Sequence, residues 1–238
     1  MQKGECSYMP HEIYKLEDGT ILPSVTEILS VLGSPILMRW ANGLGFRHIS
    51  YNQFMDDVAL RGTICHEIIA HLIDPDKNHI NGYNLTPNLF KEVTGYEYTI
   101  REFYDKTSFQ PIFMEKVFLS PEEGFAGCPD YYGDIKLKDS PKGYEGVRLF
   151  RDTLVDWKTS KKPNNKHFLQ LGGYSKLLKL HGYIPKYYMI VDFHEDTKPT
   201  IEVKNHHEIL VYEEIFTQLL QFWKLYVKLE PSIRKTTG

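Results

Sequence analysis

The amino-acid pattern predicts an α/β fold, with a central mixed β-sheet flanked by helices. Three observations predict it. Apolar residues recur at helical spacing through much of the first hundred residues. The pattern then changes to strand-like segments between 110 and 159. A helical stretch and an apolar strand follow, which places helix and strand in alternation against one sheet.

Residues 12–22 read as a short hairpin with Asp18-Gly19 as its turn. Pro23-Ser24-Val25-Thr26-Glu27 opens a helix, because Ser24 and Glu27 have capping-box spacing and Val25, Ile28, Leu29 and Leu32 form an apolar stripe. Gly33-Ser34-Pro35 ends it, and a second helix over 36–43 carries Leu37 and Trp40, both read as core. Thr63, after Arg61-Gly62, is the expected N-cap of a third helix that passes through His66 and Ile69 and stops at Asp74-Pro75. Thr86-Pro87 starts a fourth. Strands are expected at 110–119, 125–137 and 147–159, with an enlarged hairpin connection around 138–152. A helix at 165–181, a buried strand at 184–193, a short strand at 200–204 and an amphipathic helix at 211–229 complete the chain. One domain over 1–238 is expected, with a helical layer at 22–107 and sheet and helices at 108–230.

The bulk composition is that of a globular protein: 238 residues, 42% hydrophobic, 25% charged and 13% aromatic. No apolar run approaches the roughly 18 residues a membrane span needs. The N-terminus has no signal-like apolar region, so a cytoplasmic location is the expectation. Cys6, Cys65 and Cys128 are scattered, which argues against a zinc knuckle or a four-cysteine cluster. The formal net charge is −3, yet the stretch from Trp157 to Val191 holds seven lysines and no Asp, Glu or Arg, leaving −10 for the remainder. Such a basic stretch beside acidic residues suits an enzyme acting on a polyanion, though a solvated lysine-rich helix face gives the same composition.

The chemistry concentrates in Gly127-Cys128-Pro129-Asp130 and Asp156-Trp157-Lys158. Period-two geometry puts Asp156 and Lys158 on one strand face. An acid and a lysine there suit a divalent cation and a phosphate side by side, since magnesium prefers carboxylate, water and phosphate oxygens. Asp-x-Lys alone is a common tripeptide and often a surface ion pair. It gains weight from its order among four other features: His66 on an early helix, Glu115 mid-strand, Gly127-x-x-Asp130, and Gln170-x-x-x-Tyr174 on the following helix. Gln170 and Tyr174 are four apart and share a helix face.

This order of motifs resembles the restriction-endonuclease-like superfamily, in its RecB-type exonuclease branch. The early segments Pro23-Ser24-Val25-Thr26, Leu37/Trp40 and Arg61-Gly62-Thr63-x-x-His66 are similar to those of the mitochondrial genome maintenance exonuclease group and its phage and bacterial relatives. The resemblance covers residues 22–230 at the level of motifs. It implies a restriction-endonuclease-like core with an N-terminal helical layer. It also implies a DNA-cleaving enzyme dependent on Mg2+ or Mn2+, most simply an exonuclease on single-stranded ends in repair, recombination or phage DNA processing. The implied metal ligands are Asp130, Asp156, the Trp157 carbonyl and His66. Lys158 would position or activate water, and Glu115 would hold a ligand, a water or a second metal. Arg61, Thr63, Gln170 and Tyr174 would contact DNA or buttress the site, with Lys161 and Lys162 added from the basic stretch. A replication or recombination protein is a possible partner in a bacterial or phage-infected cell. The C-terminal cysteines of the iron–sulfur relatives are missing.

Plainer readings stand beside these. His66 fits a satisfied helix histidine, Glu115 an exposed strand residue, Asp130 a turn, and Gln170 and Tyr174 ordinary helix positions. His206-His207 is read as structural, on the expectation that it lies on a strand whose adjacent residues point opposite ways. His11 is read as a tail residue. The competing functions are a structure- or site-specific endonuclease, a non-cleaving DNA-binding module, and a metal hydrolase with another substrate. Retention of Asp130, Asp156 and Lys158 counts against the binding module, and the fold alone does not choose among them.

Overall fold

The computed structural model describes residues 13–33, 50–76, 82–160 and 162–229. Two short strands, β1 (Tyr14–Lys15) and β2 (Ile21–Leu22), form the expected hairpin. Gly19 takes φ +87° in its turn, where a side chain would be strained. Ser24 caps α1 (Val25–Ile28) by accepting from the Glu27 amide at 2.9 Å, and the chain continues as a 3-10 turn over Leu29–Leu32. The expected 36–43 helix lies outside the described residues, as do His11 and Cys6.

The next helix differs from expectation. α2 spans Tyr51–Ile73 and is capped by Ser50, so Arg61-Gly62-Thr63 lies in its interior. The Thr63 hydroxyl donates back to the Ala59 carbonyl at 3.1 Å, one turn earlier, instead of capping. α3 (Pro87–Asp105) starts as expected, with the Thr86 side chain accepting from the Leu89 amide.

A five-stranded mixed sheet lies at the centre in the order β3 (Thr107–Met114), β6 (Tyr131–Leu137), β7 (Leu149–Lys158), β8 (Tyr187–Asp192), β9 (Thr200–Asn205). The β7–β8 pair is parallel, bridged by α4 (Asn165–Leu180), and the other pairs are antiparallel. β4 (Phe118–Ser120) and β5 (Phe125–Gly127) form a separate ribbon. Both long strands expected before residue 140 are therefore broken, one at residues 115–117 and the other at Cys128-Pro129-Asp130. The last helix, α5 (His206–Leu229), begins five residues before the expected start at 211. His206 and His207 open that helix and do not lie on the expected strand, so strand alternation does not set their side chains apart.

Each sheet face has its own core. On one, α1, α4 and α5 cover Tyr132, Leu154, Tyr188 and Ile190; on the other, α2 and α3 cover Tyr131, Val155, Trp157 and Val191. The alternation along β6 and β7 is thus apolar on both sides, as a strand sandwiched between two helical layers requires. No helix among the described residues is long and apolar enough to cross a membrane. α4 and α5 approach through Gly172, where an added Cβ would lie 2.8 Å from the Tyr212 carbonyl carbon and 2.9 Å from the Glu213 nitrogen. Those are backbone atoms and cannot swing aside. Gly172→Ala is expected to lower unfolding stability by roughly 1–3 kcal/mol, measured by urea denaturation.

Candidate active site

Asp130 and Asp156 meet because of strand register. Tyr131 pairs with Val155 and Tyr132 with Leu154, so continuing the ladder by one residue sets Asp130 opposite Asp156. β6 ends there while β7 runs on to Lys158. The Trp157 amide, which has no β6 partner, donates to Asp130 Oδ2 at 2.9 Å. The carboxylate thus closes the end of the ladder. Gly127 gives Tyr174 room beside this point: a Cβ there would stand 2.8 Å from the Tyr174 ring. The enlarged β6–β7 connection joins the opposite ends of those strands and stays away from both acids.

His66, from α2, reaches the site from the other layer. Its Nε2 lies 3.0 Å from the Trp157 carbonyl, and its Nδ1 lies 3.6 Å from Asp130 Oδ1. A carbonyl only accepts, so Nε2 carries the proton. Burial, with Lys158 adding to it, lowers the His66 pKa to about 4, so the ring is neutral at pH 7. Two groups expected to be metal ligands, the histidine and the Trp157 carbonyl, therefore bond to each other.

Asp156 is fully buried and Asp130 nearly so. Burial raises each carboxyl to about 6, against the opposing pull of Lys158, and for Asp156 the Asp130 charge pushes further up. Lys158 Nζ sits 2.6 Å from Asp156 Oδ2 as an ion pair, while Asp156 Oδ1 has no hydrogen-bond partner among the described residues. Gln170 donates to the Tyr174 hydroxyl at 3.2 Å, and burial, followed by the charges of Asp130 and Asp156, drives the Tyr174 pKa well up. Tyr174 thus lies on the α4 side of the sheet with its ring beside Gly127, within electrostatic reach of the acidic pair.

Other expected residues lie differently. Glu115 is at the break after β3, with φ +44° and its amide donating to the Asp130 carbonyl at 3.0 Å, so it is not mid-strand. Its backbone fixes Asp130. Arg61 pairs with Glu92 on α3 at 2.7 Å, with its guanidinium 5.3 Å from the Tyr96 ring centre. Neither it nor Thr63 stands at a helix N-terminus, so the phosphate contact expected of a helix start has no such basis here. Lys162 is exposed, and Lys161 lies outside the described residues. The basic stretch is also less charged than its composition suggests: Lys158, Lys176, Lys179 and Lys186 pair with Asp156, Glu123, Glu213 and Asp152.

Sequence reading missed Asp192 and His167. Asp192 ends β8 beside Lys158 and accepts from the Ser160 amide at 2.7 Å and the Ser160 hydroxyl at 2.5 Å. Burial raises its pKa, and Lys158 is among the groups that oppose the rise. An acid closing the 184–193 strand, as Asp156 nearly closes its own, was the available signal. His167, whose pKa falls to about 4 through burial and then Lys158, had none.

Comparison with known proteins finds no matching family model and no matching curated protein. The geometry therefore stands alone. Among the described residues no group of three or more His, Cys, Asp or Glu is gathered closely enough to hold a metal ion. What is gathered is a pair of buried carboxylates, one with an unanswered oxygen, and a lysine. A cavity of about 280 Å³ between the end of α3, the 138–142 loop and residues 198–201 contains none of these residues.

Proposed function

We propose that this protein is a metal-dependent nuclease hydrolysing DNA phosphodiester bonds, acting as an exonuclease on single-stranded ends. The observation that carries the reading is the pairing of two buried carboxylates, Asp130 and Asp156, at the ends of adjacent strands with Lys158 against the second. Burying two acids together costs stability unless a counter-charge is shared between them. Lys158 answers one oxygen of Asp156, and Oδ1 of the same residue is left over.

That orphaned oxygen and the hard, all-oxygen character of the acids fit Mg2+ or Mn2+, with Asp130 and Asp156 as the ligands. Such an ion, when bound, lowers the pKa of a coordinated water and offsets charge on the phosphoryl oxygens. The residues of the chain have separate tasks. Asp130 holds the Trp157 amide and with it the end of β7. His66, neutral, holds the Trp157 carbonyl from the opposite layer. Lys158, on the same strand face as Asp156, carries the ammonium that orients the attacking water or the scissile phosphate. Tyr174, held by Gln170, closes the α4 side and excludes solvent. Exposed Lys162 and Lys166 follow Lys158 in the chain and supply positive charge for a DNA backbone.

The test compares end-labelled linear and circular single-stranded DNA with Mg2+, with Mn2+ and with chelator. Cation-dependent loss of the linear substrate alone is the expected outcome. Cleavage of circles would replace the exonuclease reading with an endonuclease one. Intact linear and circular DNA under every cation condition would overturn the proposal for single strands.

A further inference from the structure

α5 buries Ile209, Phe216, Leu220 and Val227 against the sheet and α4. Its opposite face is apolar as well. Val211, Ile215, Phe222, Leu225 and Leu229 are exposed, from 41% to 79% of their surface. With Gln218 they form a row at 211, 215, 218, 222, 225 and 229, where steps of four and three alternate without a break. That is the seam of a coiled coil, and a single polar residue in such a seam sets register. A helix with apolar residues on both faces is one that packs on both faces.

The residues beside the row indicate what packs there. Glu214, Gln221 and Lys228 follow one another at seven-residue intervals along one flank, all exposed. Lay an identical helix antiparallel, with Val211 against Leu229 of the second copy. Ile215 then meets Leu225, and Gln218 meets Phe222. On the flank, Glu214 falls opposite Lys228 and Gln221 opposite its own twin. The two opposite-charge pairs are generated by the same two-fold axis, as an isologous contact requires. A parallel pairing in register would instead set Glu214 beside Leu219 and Gln221 beside Tyr226, with no charge matched.

We propose that the outer face of α5 is a self-association surface through which two copies of this chain form an antiparallel, two-fold dimer. Sedimentation equilibrium of the full chain over a wide concentration range tests it. The expected result is a dimer whose dissociation constant rises at least tenfold in Leu225→Asp and in Phe222→Asp. Both positions are solvent-facing, so unchanged circular dichroism separates the effect from misfolding. Glu214→Lys and Lys228→Glu should each weaken the dimer several-fold, and the double variant should restore it. A wild-type chain that stays monomeric at all concentrations overturns the proposal, and would leave the face to another segment of the same chain. A dimer indifferent to Leu225→Asp and Phe222→Asp overturns the surface. A double variant no better than the single ones overturns the antiparallel register.

Discussion

If the proposed nuclease activity holds, Lys158→Ala should reduce the rate of DNA cleavage by about 10³-fold, and Asp156→Asn by at least as much. The first value follows from the loss of one charged group that the proposed mechanism directs at the reacting phosphate or water. The second removes a carboxylate through which a cation would be held. Single-turnover assays on linear DNA measure both. The stability of the two variants should differ in an informative way. Asp156 is buried and its counter-charge is the Lys158 ammonium at 2.6 Å. Lys158→Ala therefore strips a buried carboxylate of its partner and should cost about 3 kcal/mol in metal-free protein at pH 8. Asp156→Asn leaves behind only a lysine that is 19% exposed and has solvent within reach. A Lys158→Ala variant that cleaves at the wild-type rate would remove Lys158 from the mechanism.

Addition of Mg2+ or Mn2+ at pH 8 should raise the melting temperature by about 5–10 °C at a hundredfold excess over the dissociation constant. Asp130 and Asp156 have carboxyl pKa values near 6, so at pH 8 both are ionised and repel each other without full compensation. A cation relieves that repulsion in the folded chain only. Below pH 6 the folded carboxyls keep their protons, so the cation must displace them and the effect should fade by pH 5. Without metal, the site should impose little pH dependence of its own between pH 4 and 6. The two raised carboxyls favour the folded state at low pH, and this is lost as pH rises through about 6. His66 and His167, lowered to about 4, favour the folded state at high pH, and this is lost as pH falls from 6.5 towards 4. These two shifts of each sign nearly offset, and the raised Asp192 carboxyl leaves a small net loss of stability as pH rises. Differential scanning calorimetry at pH 5 and pH 8, with cation or chelator, reads all of this. An equal cation effect in Asp156→Asn would place the binding elsewhere.

Local signals were read well because their physics is local. The Ser24 cap, the Thr86-Pro87 start, the Asn165–Leu180 helix and the Asp18-Gly19 hairpin each depend on a few adjacent residues. The linear pattern places the α2 start too late because Arg61-Gly62-Thr63 has the composition of a helix beginning, whereas Ser50 provides the cap and α3 packing carries the helix through Gly62. The broken strands at Glu115 and Cys128–Asp130 are not legible in the sequence because continuous apolar character does not distinguish one long strand from two short ones in different sheets.

The placing of Asp156 and Lys158 on one strand face was already determined by the linear pattern, because side-chain alternation along a strand is a property of the backbone. That Asp130 stands opposite Asp156 was decided by the β6–β7 register, and that His66 and Tyr174 approach from opposite layers was decided by helix packing on the two sheet faces. The raised pKa values of Asp130 and Asp156, the lysines neutralised by Glu123, Glu213 and Asp152, and the arrival of Asp192 beside Lys158 belong to the tertiary structure too. Each depends on distance and solvent exclusion between residues far apart in the chain, and linear order carries neither.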